Sequence, residues 1–330
     1  MAHQSNPSMH PTPTVSVIVP AYNVQKYISE ALQSLVCQTW QSFEVLIVND
    51  GSTDGTAEAV EPWCQRDPRF HLLSKPNGGL ASSRNWGIRH ARGEFIALLD
   101  ADDRYLPQKL ATHVEILQHH SEVGIVYSVS RIIRDDGRPT WLTLSGRPIH
   151  SDPLLAMLCK NFIGHGSNAI FRRALFDQIG GFNESLRSCE DLDFWLKVAE
   201  QGSHRFYRHP QVLCEYRVRP SGLSFNVKKM QECGEQVLQA AFNRSTEKVR
   251  TMMPTAYAFF YRLLARLALT AQEPELAKEY IAKAVASDGS IFWRDPRSLL
   301  TLIAVHLQSI SRPLIRFSLA PHSSLLDLPK

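Results

Sequence analysis

Residues 15–56 read VSVIVPAYNVQKYISEALQSLVCQTWQSFEVLIVNDGSTDGT, and the order of patterns in this stretch decides the fold. Val15–Val19 is a continuous apolar run closed by Pro20, the pattern of a strand buried on both faces. Tyr27, Ile28, Ala31, Leu32 and Leu35 then recur at helical spacing. Glu44–Val48 is a second apolar run, and Asn49-Asp50-Gly51 ends it with turn residues. Working outward, the pattern predicts a helix over Thr56–Cys64 and a short strand over Phe70–Leu73. A helix over Leu80–Ala91 and a strand over Glu94–Leu99 follow. Pro107 opens a helix through Leu110, Val114 and Leu117, and Val123–Tyr127 is the next strand. Strand and helix alternating four times predict a parallel α/β sheet. Ligands of such sheets sit beyond the carboxyl ends of the strands, so the residues just after each strand are the candidates for function.

Beyond about residue 150 the pattern is mixed. Asp152-Pro153 has the form of a capped helix start. Asn168–Phe171 predicts a strand, Ser188–Gln201 a helix with Leu192, Trp195, Leu196 and Ala199 on one face, and Val212–Val218 a late strand. After about 226 only helical patterns remain. Ala256–Ala286 predicts a helical hairpin turning at Gln272–Pro274, and Ser298–Leu319 an apolar segment that either docks on the core or lies on a membrane surface. The organisation expected is a tail at 1–13, an α/β domain at 14–225 whose parts divide near 128, and a helical region at 226–330.

The chain has 330 residues, 44% hydrophobic and 21% charged, which excludes a disordered or collagen-like chain. Its formal charge of +4 is too small to demand nucleic acid, and no basic stripe with interleaved aromatics supports that partner. Cys37, Cys64, Cys159, Cys189, Cys214 and Cys233 form no CxxC pair, which speaks against a zinc knuckle or redox dithiol and suits a reducing compartment. Residues 1–13 are rich in Pro, Ser and His and carry no apolar signal core. No run of about 18 apolar residues occurs. A cytoplasmic protein is expected, with peripheral contact at the inner membrane face through the C-terminal helices as an option.

Several residues after the strands can carry chemistry. Asp100, Asp102 and Asp103 end the Glu94–Leu99 strand. In an extended segment Asp100 and Asp102 face one side, where a hard divalent cation relieves their repulsion; equally, they can form a turn and cap the next helix. Asp50 can accept a hydrogen bond from a nucleotide base or serve only as an Asp-Gly turn, and Asp54 reads as a turn or cap residue. Pro20 and Tyr22 end the first strand, where Tyr22 can pack on a base ring or stand free on a loop. Asn77-Gly78-Gly79-Leu80 precedes a helix holding Arg84, whose side chain can reach phosphate or lie on the surface. The segment matches neither a Walker loop nor GxGxxG. Ser188 and Asp191 have capping-box spacing. Alternatively, Asp191 is a general base kept ionised by the helix dipole, with Glu190 pointing away from the apolar face. His165 reads as a satisfied or exposed histidine, since no second histidine stands at metal spacing. No GxSxG supports a serine hydrolase.

Together these segments closely resemble the family 2 glycosyltransferases. The matching stretches are VSVIVPAYN at 15–23, EVLIVNDGSTDGT at 44–56, NGGLASSRNWGI at 77–88, ARGEFIALLDADD at 91–103, GGFNESL at 180–186 and CEDLDFWLK at 189–197. The resemblance covers about residues 14–220. It implies the GT-A fold, a Rossmann-like, mostly parallel sheet flanked by helices, here with a C-terminal helical extension. By resemblance Asp50 contacts the nucleotide base and Tyr22 lines its pocket. Asp100 and Asp102 form the DxD element, with Asp102 a direct ligand of Mg²⁺ or Mn²⁺. Asp191 matches the catalytic base of an inverting enzyme, and Glu190 precedes it in the usual acidic pair. The family often carries Tyr-Arg-x-His after the late strand, whereas this chain reads Tyr216-Arg217-Val218-Arg219. Arg219 cannot ligate a metal but can bind diphosphate. Gln-x-x-Arg-Trp and spanning helices, which mark processive synthases of the family, are absent, so a non-processive enzyme is expected. The implied partners are a nucleoside diphosphate sugar, most simply UDP-linked, and a saccharide or lipid-linked acceptor in polysaccharide or glycolipid synthesis. The competing readings are a nucleotidyltransferase and an inactive helical interaction protein.

Overall fold

The computed structural model describes residues 12–144, 146–219, 222 and 226–310. The α/β part runs β1 (Val15–Ala21), α1 (Ile28–Val36), β2 (Phe43–Asn49), α2 (Thr56–Arg66), β3 (Phe70–Ser74), α3 (Leu80–His90), β4 (Phe95–Leu98), β5 (Arg104–Tyr105), α4 (Lys109–His119), β6 (Val123–Ile133) and β7 (Pro139–Leu144). It continues through α5 (Pro153–Cys159), a 3₁₀ turn at Gly166–Asn168, β8 (Ile170–Arg172), α6 (Arg173–Ile179), α7 (Glu190–Gln201) and β9 (Arg205–Arg217). Helices follow: α8 (Val227–Arg244), α9 (Glu247–Arg250), α10 (Met253–Thr270), α11 (Pro274–Asp288), α12 (Ile291–Arg294) and α13 (Pro296–Ile310).

The described strands form one sheet in the order β3-β2-β1-β4-β8-β6-β9-β5, with β7 paired to β6. β2 pairs parallel with β3 and β1, and β1 with β4, as the strand–helix alternation predicts. The rest of the sheet is mixed, within the mostly parallel architecture expected. β8 lies between β4 and β6 and runs antiparallel to both. An antiparallel neighbour needs no helical crossover, so a three-residue strand can be inserted there without an alternating pattern to announce it. β9 begins well before the expected Val212 because Arg205, Arg208 and His209 interrupt the apolar pattern of its first half.

Strand periodicity divides the interior in two. Val15, Val17 and Val19 of β1 and Val45 and Ile47 of β2 pack with α1 and α4 on one face. Ile18, Leu46 and Val48 point to the other face, where they join Phe171, Phe194 and Trp195. α3 packs on β1 and β2 at this face, and the C-terminal helices extend the same core by packing on α5 and α7: Val237, Phe242, Leu264 and Tyr280 belong to it. Gly87 of α3 permits close packing there, since a Cβ at this position would lie 2.6 Å from Ile18 Cγ2. The expected hairpin is α10 and α11. α13 docks through Ser298, Thr301 and Val305, spaced three and four residues apart. The expected tail through residue 11 and the apolar segment beyond Ile310 lie outside the described residues.

Candidate active site

At the carboxyl ends of β1, β2 and β4 the connections diverge, β2 and β3 lying to one side of β1 and β4 to the other. This is the switch point where open α/β sheets form a crevice. A cleft of about 2260 Å³ opens there, large for one small ligand. Pro20, Tyr22, Asp50 and Arg84 line it, as do Asp100, Asp102, Asp191 and Arg219. Pro20 and Arg219, 199 positions apart in sequence, thus face one space.

Asp50 sits directly after β2 and is buried. Its Oδ1 accepts from Lys75 Nζ and from the Gly78 amide at 3.0 Å, and its Oδ2 from the Gly79 amide at 2.7 Å. Gly79 has φ +91°, the left-handed region that turns its amide onto the carboxylate at little cost only in glycine. Burial pushes the Asp50 pKa up, but the Lys75 ammonium and the two amides outweigh it and hold the group below the ordinary value. Oδ2 retains a lone pair for one further donor. Tyr22 is half exposed at the rim, at 50%, and Asp54 caps the start of α2 by accepting from the Thr56 amide at 3.1 Å.

The acidic segment is a turn rather than an extended strand, closed by the Asp103 amide donating to the Asp100 carbonyl at 2.9 Å. Asp103 is structural: it accepts from Ser167 Oγ at 2.6 Å and from the Arg217 amide at 2.8 Å. Asp102 Oδ2 accepts from Arg219 Nε at 2.6 Å, while its Oδ1 accepts no hydrogen bond among the described residues. Burial and neighbouring Asp103 push the Asp102 pKa up to about 6, against the pull of Arg219. A carboxylate so placed gains from a second positive charge. Among the described residues no three His, Cys, Asp or Glu side chains gather into a complete metal cage. The donor set instead suits Mg²⁺ or Mn²⁺ held by one or two carboxylates, with substrate phosphates and water completing the shell. Arg219 is also held over the Tyr27 ring at 5.1 Å.

Arg84 is 1% exposed. Its guanidinium donates to Asp100 Oδ1 at 2.8 Å and to Glu190 Oε1 at 2.6 Å. Burial opposes its charge, but Asp100, Glu190 and Asp191 together raise its pKa above the ordinary value. The guanidinium expected at phosphate is thus engaged in joining the acidic turn to the start of α7. Glu190, which the helical projection turns away from the Leu192/Trp195 face, is buried against Arg84. The capping box is also not formed. Cys189, at φ +59°, is the N-cap and makes no side-chain cap bond. Asp191 Oδ1 instead accepts from the Leu192 amide at 2.8 Å and Oδ2 from Asn161 Nδ2 at 3.3 Å. Burial dominates its pKa and raises it, with Arg84 pulling down and Asp100 pushing up. This is the reverse of the dipole effect expected from its place in the helix.

Sequence reasoning missed Lys75, the Arg84 bridge and the surroundings of His165. The clue to Lys75 is its place two residues before Asn77-Gly78-Gly79, on the loop that wraps Asp50. His165 is buried and satisfied at Nε2 by Ser130 Oγ at 2.8 Å, while Nδ1 lies 3.5 Å from Asp103. It lines the cleft, and its charge when protonated lowers the Asp191 pKa.

Comparison with known proteins bears on the family and the fold. The chain is 32% identical over 215 residues to a chondroitin synthase of Pasteurella multocida strain Pm70, covering 64% of this chain and 21% of that protein. It is 31% identical over 223 residues to a hyaluronan synthase of Pasteurella multocida, covering 66% and 22%. The chain therefore spans about a fifth of the length of these two synthases. Among solved structures, the S. aureus TarS 1-349 complex with UDP-GlcNAc aligns with a TM-score of 0.55 and 21% identity, over 84% of this chain and 91% of that one. A mannosyltransferase from Pyrobaculum calidifontis, in complex with GDP-Man and Mn²⁺, aligns with a TM-score of 0.59 and 23% identity, over 91% and 81%. These likenesses establish the GT-A fold. The model described as glycosyl transferase family 2 matches residues 16–180, and with it the chain belongs to that family.

Proposed function

We propose that this chain transfers a sugar from a nucleoside diphosphate sugar, UDP-linked in the simplest case, to an acceptor hydroxyl with inversion at the anomeric carbon. The observation that carries the reading is that Asp50, Asp102 and Asp191, each from a different element, line one cleft at the switch point of the sheet. In this reading Asp50 and Tyr22 receive the nucleoside, and Asp102 with Asp100 holds Mg²⁺ or Mn²⁺. When bound, that cation offsets charge on the departing diphosphate. Arg219 is close enough to Asp102 to contact the same diphosphate, supplying a fixed positive charge where negative charge develops. Asp191 accepts the proton of the attacking hydroxyl. Its raised pKa makes it a stronger base while leaving it dependent on pH. Glu190 and Asp100, tied through Arg84, hold the two carboxylate-bearing segments in register.

The acceptor is read as a saccharide or lipid-linked saccharide, and the setting as non-processive polysaccharide or glycolipid synthesis at the cytoplasmic face of a membrane. The polysaccharide setting is supported by the likeness to a chondroitin synthase and a hyaluronan synthase. The test is Asp191→Asn. Turnover falls on the order of 10²–10⁴-fold while UDP binding and the folded state are unchanged; activity near wild type removes Asp191 as the base. Product analysis separates the nucleotidyltransferase reading, which releases pyrophosphate rather than a nucleoside diphosphate.

A further inference from the structure

The cleft extends beyond Asp191 to a wall built from α5, α10 and α13. Lys160, Arg262, Arg266 and Arg297 all line this end. Arg262 and Arg266 stand four residues apart on α10, a spacing at which like charges repel. Lys160 and Arg297 approach each other across the chain, because a Cβ at Gly146 would collide with Lys160 Nζ and contact Arg297. No ion pair with a carboxylate joins any of the four among the described residues. Asp295 is the acid whose field reaches Lys160 and Arg262. The buried Nε of Arg262 has no hydrogen-bond partner. Burial and mutual repulsion draw Lys160 down to about 8 and Arg262 down to about 10. Four cations gathered around one cavity with a single nearby acid cost folding energy unless an anion joins them.

Apolar surface adjoins the cluster. Leu263 and Leu267 line the same wall. On α13, Leu300 is 65% exposed and Ile303 44%, and Leu300 borders the cleft. A free phosphate would use the cations and leave this surface in water. A phosphate carrying a hydrocarbon chain would use both.

We propose that this end of the cleft is an acceptor subsite for the phosphate group of a lipid-linked acceptor, held by Lys160, Arg262, Arg266 and Arg297, with the start of its hydrocarbon chain along Leu300 and Ile303. The proposal rests on the glycosyl-transfer reading and deepens it by naming the acceptor class. Anchoring the phosphate at this wall leaves a sugar attached to it free to point toward Asp191, which shares the cleft.

The test uses the full chain and the Arg266→Gln/Arg297→Gln variant, whose two side chains are exposed and whose loss spares the core. Farnesyl phosphate, inorganic phosphate and farnesol are titrated by calorimetry with UDP and Mg²⁺ saturating, so that the donor end is occupied. Farnesyl phosphate is expected to bind wild type at least tenfold more tightly than either inorganic phosphate or farnesol. The variant is expected to lose at least tenfold in farnesyl phosphate affinity while its UDP affinity stays within twofold of wild type. Equal farnesyl phosphate binding by wild type and variant overturns the proposal. So does farnesol binding as tightly as farnesyl phosphate, or inorganic phosphate doing so, the latter by removing the lipid. Failure of wild type to bind any nucleoside diphosphate would instead count against the glycosyl-transfer reading, and the farnesyl phosphate comparison would still decide the subsite.

Discussion

Replacing Arg84 by Met removes a guanidinium that is 1% exposed and makes two charge-assisted hydrogen bonds, at 2.8 Å to Asp100 and 2.6 Å to Glu190. Each such bond contributes roughly 1.5–3 kcal/mol. Breaking a buried ion pair from one side typically costs about 3–5 kcal/mol, because the remaining charge is left in a poor solvent. The two estimates agree. For a chain of 330 residues a loss of that order lowers Tm by about 4–7 °C. The sign of the pH dependence follows from the carboxylates. Burial already raises the Glu190 pKa and Arg84 lowers it. Without Arg84 the folded-state pKa of Glu190 moves further above its unfolded value, so the variant gains stability relative to wild type as pH falls and the carboxyl is protonated. Differential scanning calorimetry at pH 7.5 and pH 5 measures both effects, with the larger deficit expected at pH 7.5. A drop below about 2 °C at pH 7.5, or a deficit that grows toward pH 5, would refute the reasoning that Arg84 neutralises this buried acidic pair.

Three further outcomes are expected. Mn²⁺ affinity, followed by electron paramagnetic resonance without nucleotide, falls as pH is lowered through about 6, where Asp102 takes up a proton; Asp102→Asn abolishes it, and an affinity flat between pH 5 and 7.5 counts against Asp102 as the ligand. Chelation of divalent cations stops sugar transfer and added Mn²⁺ restores it, whereas full turnover in chelator would show that the cation is dispensable. Gly87→Ala destabilises by about 1–3 kcal/mol through overpacking, since its Cβ would press on Ile18 and Val48; a chemical denaturation midpoint equal to wild type shows that the sheet and α3 can separate at no cost.

The legible part of the fold is local. Val15–Val19, Glu44–Val48 and Glu94–Leu99 are apolar runs bounded by turn residues, and their alternation with helical periodicity carries the topology of β1 to β4. Asp50 and Asp102 are found because the end of a strand in such a sheet is a place of known geometry. Illegible features depend on partners distant in sequence. Arg84 meets Glu190 across 106 positions, and nothing in either segment names the other. Helical projection therefore turned Glu190 away from the apolar face without naming its partner, and the Asp191 dipole argument failed because burial, a tertiary property, exceeds the effect of the first turn. β8 is too short for periodicity to set its direction. The basic wall is invisible for the same reason: Lys160, Arg262 and Arg297 come from three helical segments that only packing brings together.

Anomalous diffraction from crystals soaked with UDP and Mn²⁺ tests the central claim most directly. The account predicts one manganese peak at carboxylate-ligand distance from Asp102, with the diphosphate on its far side, the uracil against Asp50 and Tyr22, and the Asp191 carboxylate facing the position of the missing sugar. A manganese peak away from Asp102, or a nucleotide bound outside the cleft shared by Asp50, Asp102 and Asp191, would contradict it.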